Sequence, residues 1–193
     1  MTKLRKKSLV MGAELKNLIQ IYENVLDQDT CKSFIDVFES NQDNHERIDR
    51  NRSPNFTQFN LTQYSDDNKD LHNFIISKTI EYKKKYYEFI DERCFPKENA
   101  FEQFRIKKYN NDGNDAFDAH VDVIDYASSR RFLSFFWYLN DVNEGGETVF
   151  SDLTIKPETG KLVIFPPLWM FPHQGNAPIS NEKYLLSTYL HYK

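Results

Sequence analysis

The chain has 193 residues, with 25 Lys and Arg against 29 Asp and Glu, for a formal charge of −4. That balance argues against a globally basic nucleic-acid binder, and the 15% aromatic share argues against a disordered chain and suits a β-rich core. Two distant cysteines, Cys31 and Cys94, make no disulfide scaffold, and no run of about 18 apolar residues marks a transmembrane helix.

In chain order, residues 1–15 read as a flexible basic arm carrying Lys3, Arg5, Lys6 and Lys7. Its apolar stretch, Ser8 to Ala13, is too short for a secretory signal, so a cytoplasmic location is expected. Residues 16–193 read as one domain, with a helical front over 16–95 and a β-rich core over 100–192. Leu18 to Leu26 reads as a strand or a short lead-in. Asp29 is a candidate N-cap for a helix through Phe34, Ile35, Val37 and Phe38. The polar stretch Asn41 to Asn55 reads as a loop. Asp66 or Asp67 could cap a second helix with Leu71, Phe74, Ile75, Tyr82 and Tyr86 near one face, and Lys83 to Lys85 on its solvated side.

Beyond Pro96 the pattern changes. Phe101 to Tyr109 reads as a strand, and Asn110 to Asp115 is dense in turn residues. Arg131 to Leu139 is a nearly unbroken apolar run, as in a strand buried on both faces. Thr148 to Phe150, Lys161 to Phe165 and Tyr184 to Tyr192 read as further strands. Short strands separated by turns indicate a sandwich, barrel or jelly roll, with the front helices packed outside.

Three pieces of this half carry chemistry. His120-Val121-Asp122 would place an imidazole and a carboxylate on one strand face, since residues i and i+2 point the same way. His173 follows 53 residues later. Two His and one carboxylate form the facial triad of non-haem Fe(II), which leaves open positions for a bidentate cosubstrate and dioxygen. Lys183 lies ten residues after His173, and a hairpin would return it beside the metal to pair with a distal carboxylate. Lys183, Leu185, Ser187 and Tyr189 share one face of the last strand. His45 and His72 read as surface residues, and His191 receives no role.

This order of residues resembles the Fe(II)- and 2-oxoglutarate-dependent oxygenases, most closely the prolyl 4-hydroxylase type. The likeness runs from Phe101 to Tyr192. It includes Tyr109, His120-Val121-Asp122, Arg131 to Asn140, Gly145 to Phe150, Pro157 to Pro166, His173, and Lys183 to Tyr189. It implies a double-stranded β-helix, or jelly roll, mainly β with helices packed on one side. It implies His120, Asp122 and His173 as catalytic Fe(II) ligands, and Lys183 on the C5 carboxylate of 2-oxoglutarate, with Tyr138, Ser187 and Tyr109 around it. Arg131 matches a position near the substrate mouth. Related prolyl enzymes often carry Trp where this chain has Tyr189. Arg131 and Tyr138 have opposite strand parity, which a bulge would reconcile.

The implied reaction is oxidative decarboxylation of 2-oxoglutarate to succinate and CO2 with O2, coupled to hydroxylation of a substrate C–H, with ascorbate as a candidate reductant. The expected substrate is a peptide or protein, with proline as the candidate residue; no nucleic acid or membrane partner is expected. A free amino acid or small metabolite, a non-catalytic jelly-roll binding module and a nucleic-acid demethylase remain the alternatives. Trp169 and Phe171 are candidates for the substrate mouth, and Tyr189 is, with Arg131 and Trp169, a candidate substrate-binding residue. The Arg47–Arg52 region and the Asp112–Phe117 loop are candidate lids.

Overall fold

The computed structural model describes residues 14–50 and 53–193. Most of the expected basic arm, and Asn51 and Arg52 of one candidate lid, lie outside them. Among the described residues there are two long helices, α1 (Gln28–Ser40) and α2 (Lys69–Ile90). The strands are β1 (Gln20–Tyr22), β2 (Glu46–Asp49), β3 (Asn55–Asn60), β4 (Asn99–Phe101), β5 (Arg105–Tyr109) and β6 (Phe117–His120). They continue with β7 (Arg131–Tyr138), β8 (Thr148–Phe150), β9 (Leu153–Ile155), β10 (Leu162–Phe165), β11 (His173–Gly175) and β12 (Lys183–Tyr192).

All pairings are antiparallel. An eight-stranded sheet runs β1-β10-β7-β12-β5-β3-β2, with β4 also on β12, and a four-stranded sheet runs β6-β11-β8-β9. The two face each other as a jelly roll. The strand period sorts the central strands into two layers. Leu133, Phe135, Trp137, Leu162, Ile164 and Leu186 join Phe34 and Phe38 of α1 and Ile75 and Tyr86 of α2 in one cluster. Phe136, Tyr138, Val163, Phe165 and Leu185 point the other way, into the space between the sheets. This is why Arg131 to Tyr138 reads as continuously apolar: seven of its eight residues are buried. Each large apolar side chain so buried stabilises the fold by about 1.5–3 kcal/mol.

The front half is less purely helical than its sequence suggests. It supplies β1, β2 and β3 to the large sheet, and the stretch expected as a loop contains β2. The cap of α1 is Asp27, not Asp29: Asp27 accepts a 2.8 Å hydrogen bond from the Thr30 backbone N–H, and Asp29 lies in the first turn. Neither Asp66 nor Asp67 caps α2, whose N-cap is Asn68 without a side-chain bond. Phe74 faces solvent, and the α2 contact stripe is Leu71, Ile75, Thr79, Tyr82 and Tyr86. Lys83 leaves the solvated side to donate to Asn99 Oδ1 at 3.1 Å. His45 and His72 are half-buried. His45 Nε2 meets Phe38 O at 2.8 Å, and His72 Nε2 meets Thr62 Oγ1 at 3.1 Å.

The expected strand over 101–109 splits into β4 and β5. The bulge needed at Arg131 is present. The β7–β12 pairing steps from Leu133↔Leu190 to Arg131↔His191. Phe132 and Leu133 therefore both join the helix-facing cluster, and Arg131 returns to the inner side over Tyr189.

Candidate active site

The small sheet brings the donors together. His120 ends β6 and pairs directly with His173 at the start of β11. Asp122 is not on the strand as expected; it lies in the bend that follows. The bend still turns its carboxylate inward, 3.6 Å from His120 Nε2 and 3.8 Å from His173 Nε2. One ligand atom from each of the three lies within 4.8 Å of the others.

Both rings are oriented from behind. His120 Nδ1 meets Asp118 O at 2.7 Å, and His173 Nδ1 meets Phe171 O at 3.1 Å. Each Nδ1 then donates to a carbonyl, and each Nε2 keeps its lone pair for the interior. Phe117 stacks on His120 at 3.6 Å, and Phe165 lies edge-on to His173 at 5.0 Å.

Asp122 is held at two points. Tyr189 Oη donates to its Oδ1 at 2.8 Å, and Arg131 donates to its backbone oxygen at 3.2 Å. Arg131 also lies over the Tyr189 ring at 4.0 Å and grips Glu102 at 2.7 and 2.9 Å. Burial pushes the Asp122 carboxyl up, but the His120 contact, the charge of the imidazoles and the Tyr189 hydroxyl outweigh it and hold it below its ordinary value. Burial likewise holds His173 low, toward the neutral form that ligates.

Two atoms here are buried without a partner: Asp122 Oδ2 and His173 Nε2. Isolated, they would carry an uncompensated desolvation cost. A divalent cation with mixed nitrogen and oxygen ligands satisfies both, so the residues fit an Fe(II) ion.

Lys183 begins β12 opposite Tyr109. It is almost fully buried, its Nζ donates to Gly146 O at 2.6 Å, and it has no carboxylate in contact. Gly146 has φ +73°, a conformation side chains rarely adopt, and this sets the carbonyl that Lys183 reaches. The rings of Tyr109 and Tyr138 flank the ammonium at 5.3 and 5.5 Å. Burial pulls the Lys183 pKa down to about 7. A buried lysine with donors to spare and no counter-anion is a receptor for a carboxylate.

Lys183 and the three donors line one cavity. Tyr109, Leu185 and Tyr189 line it as the strand parity requires, and Lys107, Phe117, Phe136, Thr148 and Gly175 complete the wall. Four expected residues are not in that wall. Tyr138 stands behind Thr148, to whose Oγ1 it donates at 2.7 Å. Ser187 is buried on the same strand without lining the cavity. Arg131 braces Asp122 and Tyr189 instead of facing a mouth. Trp169 projects into solvent, 76% exposed. Lys107 and Thr148 were not singled out from sequence; only their parity with Tyr109 and Phe150 marked them. Of the candidate lids, Arg47 clasps buried Asp115 at 2.6 and 3.0 Å, tying β2 to the 110–115 turn.

The fold is a jelly roll, and its site sets three donors that fit a metal ion in one cavity with a buried lysine that has no carboxylate in contact. The 2OG-Fe(II) oxygenase superfamily model matches residues 104–191, the segment that holds all of these groups. A comparison with curated proteins finds no match. Similar solved structures include the viral collagen prolyl hydroxylase of Paramecium bursaria Chlorella virus-1 in its 2OG complex. It has 20% identity and a TM-score of 0.67, over 91% of this chain and 97% of that one. A prolyl hydroxylase from Trichoplax adhaerens, solved with a hypoxia inducible factor peptide fragment, has 16% identity and a TM-score of 0.65, over 91% and 84%. A Pseudomonas putida prolyl-4-hydroxylase has 16% identity and a TM-score of 0.63, over 91% and 93%. Residues 104–191 thus match a 2OG-Fe(II) oxygenase domain, and His120, Asp122 and His173 within that segment are a donor set that fits a metal ion.

Proposed function

We propose that the protein hydroxylates a prolyl residue of a peptide or protein. In this reading His120, Asp122 and His173 hold Fe(II), and Lys183 holds the distal carboxylate of 2-oxoglutarate. The observation that carries it is the pairing, in one cavity, of two orphaned donor atoms with a buried lysine that has no counter-anion. Iron and cosubstrate supply the oxidising chemistry, with release of succinate and CO2. The chain binds and orients. His120 and His173 present Nε2, Tyr189 and Arg131 fix the carboxylate, and the Phe117, Phe136 and Leu185 walls keep water away.

A peptide substrate is supported by the Trichoplax neighbour, which was solved with one. It is also supported by the exposed apolar side chains that flank the ligands. Ile124 and Tyr126 follow Asp122 by two and four residues, and Trp169 precedes His173 by four. Large exposed apolar groups this close in sequence to the ligands suit an extended partner.

The test is turnover of 2-oxoglutarate with Fe(II) and ascorbate against Pro-containing peptides, non-Pro controls and free proline. The products are read by succinate release and by mass. Gain of one oxygen on a peptide prolyl residue is the expected result. Oxygen gain only on free proline or on non-prolyl positions would overturn the prolyl-peptide reading and leave the oxygenase.

A further inference from the structure

Lys107 has no place in the chemistry so far. It lies in the middle of β5 and lines the same cavity as the three donors and Lys183. Among the described residues it makes no hydrogen bond or ion pair. Its one polar contact is with an aromatic face, its Nζ standing 5.1 Å from the Phe56 ring centre. Burial pulls its pKa down to about 8. A long lysine that can snorkel to water usually does so; this one is half-buried and lines the cavity.

Its position relative to Lys183 is set by the sheet. Lys183 is paired with Tyr109, and Lys107 with Leu185, so the two lysines sit on adjacent strands two residues out of register. Two strand steps amount to roughly 7 Å. Lys183 Nζ is anchored on the Gly146 carbonyl, whereas Lys107 Nζ stands over the Phe56 ring, so the ammonium groups occupy different parts of the cavity wall. A five-carbon dicarboxylate has four C–C bonds of about 1.5 Å and spans roughly 5 Å between its carboxylate carbons. One such molecule can meet both cations.

We propose that Lys107 is a second cosubstrate-binding residue, which makes the cavity a two-cation receptor for a dicarboxylate. Lys183 takes the distal carboxylate, and Lys107 takes the carboxylate at the Asp122 end, where it also offsets the repulsion between that carboxylate and Asp122. The inference rests on the 2-oxoglutarate reading of the cavity.

The experiment is calorimetric binding to the Mn(II)-loaded protein, with 2-oxoglutarate and pyruvate as probes. Pyruvate keeps the 2-oxo acid end and lacks the distal carboxylate. Wild type, Lys107→Met and Lys183→Met are compared, with melting temperature as the folding control. Removing an unpaired charge from a wall should not unfold the chain. Lys107→Met is expected to weaken both probes by about tenfold or more, the size of one charge-assisted contact. Lys183→Met is expected to weaken 2-oxoglutarate and leave pyruvate unchanged. Wild-type affinity for both probes in a folded Lys107→Met protein would overturn the proposal. Absence of 2-oxoglutarate binding by the wild type itself would instead sink the cosubstrate reading on which it depends.

Discussion

The two faces of the large sheet are made from the same strands and do opposite work. Toward the helices, Leu133, Phe135, Trp137 and Leu186 meet α1 and α2 in an apolar cluster, and the charged group at its margin, Lys108, is paired with Glu39 and Glu182. Toward the small sheet, alternate residues of the same strands are joined by Lys107, Lys183, Asp122 and His173. Unpartnered buried atoms occur on both sides, but they differ in kind. Trp137 Nε1 and Tyr87 Oη are neutral and belong to side chains packed in the helix-facing cluster, whereas Asp122 Oδ2 and His173 Nε2 lie 3.8 Å apart on residues that line the cavity. One face stores stability, and the other keeps its polar groups ready for ligands.

The contrast can be broken hardest from the helix side. Trp137→Ala empties a fully buried position and is expected to cost about 3–5 kcal/mol, read by chemical denaturation, with the metal site failing only because the fold does. The reverse dissociation is expected at Tyr189. Tyr189→Phe keeps the ring under Arg131 but removes the donor to Asp122 Oδ1. Metal affinity should fall about 10–100-fold with little change in melting temperature, measured by Co(II) titration. An unchanged affinity would show that Arg131 and the bend alone orient the carboxylate.

A third prediction concerns pH. Burial lowers Lys183 to about 7, so above that pH the ligand-free side chain is neutral and must take up a proton to bind a carboxylate. Between about pH 7 and 9, 2-oxoglutarate affinity should fall by up to about tenfold per unit, with proton uptake visible as a buffer-dependent binding enthalpy. Over the same range the ligand-free fold should gain stability as pH rises. The unfolded lysine stays protonated to about 10.4, so the unfolded state binds more protons throughout that window. The smallest effect is expected at the helix end. Asp27→Ala removes the α1 cap and should cost about 1 kcal/mol without changing metal or cosubstrate affinity.

The site was more legible in the sequence than the fold around it. His120, Asp122, His173 and Lys183 announce themselves because their residue types and spacing are unusual for a sheet interior. The geometry reached them by a different route for Asp122, through a bend rather than strand parity. Lys107 hid because a lysine in a half-apolar strand ordinarily marks a solvated edge, and only the pairing of β5 with β12 turns it inward. Strand β3 hid because Phe56 and Phe59, three residues apart, serve opposite faces and give no alternating pattern. Strand β2 is nearly all exposed and so carries no hydrophobic signal. The α1 cap was displaced by two residues because Asp27 and Asp29 are chemically equivalent, and only the reach to the Thr30 amide separates them. Arg131 was assigned to the substrate mouth, yet its partners Glu102 and Tyr189 are remote in sequence, and their contact with it is made only by folding.

The most direct test of the central claim is succinate formation from 2-oxoglutarate with Fe(II) and ascorbate, comparing wild type with His173→Ala and Lys183→Met. Wild-type turnover that disappears in His173→Ala, and that in Lys183→Met survives only at raised 2-oxoglutarate concentration, is the predicted result. Equal turnover in all three proteins would contradict it.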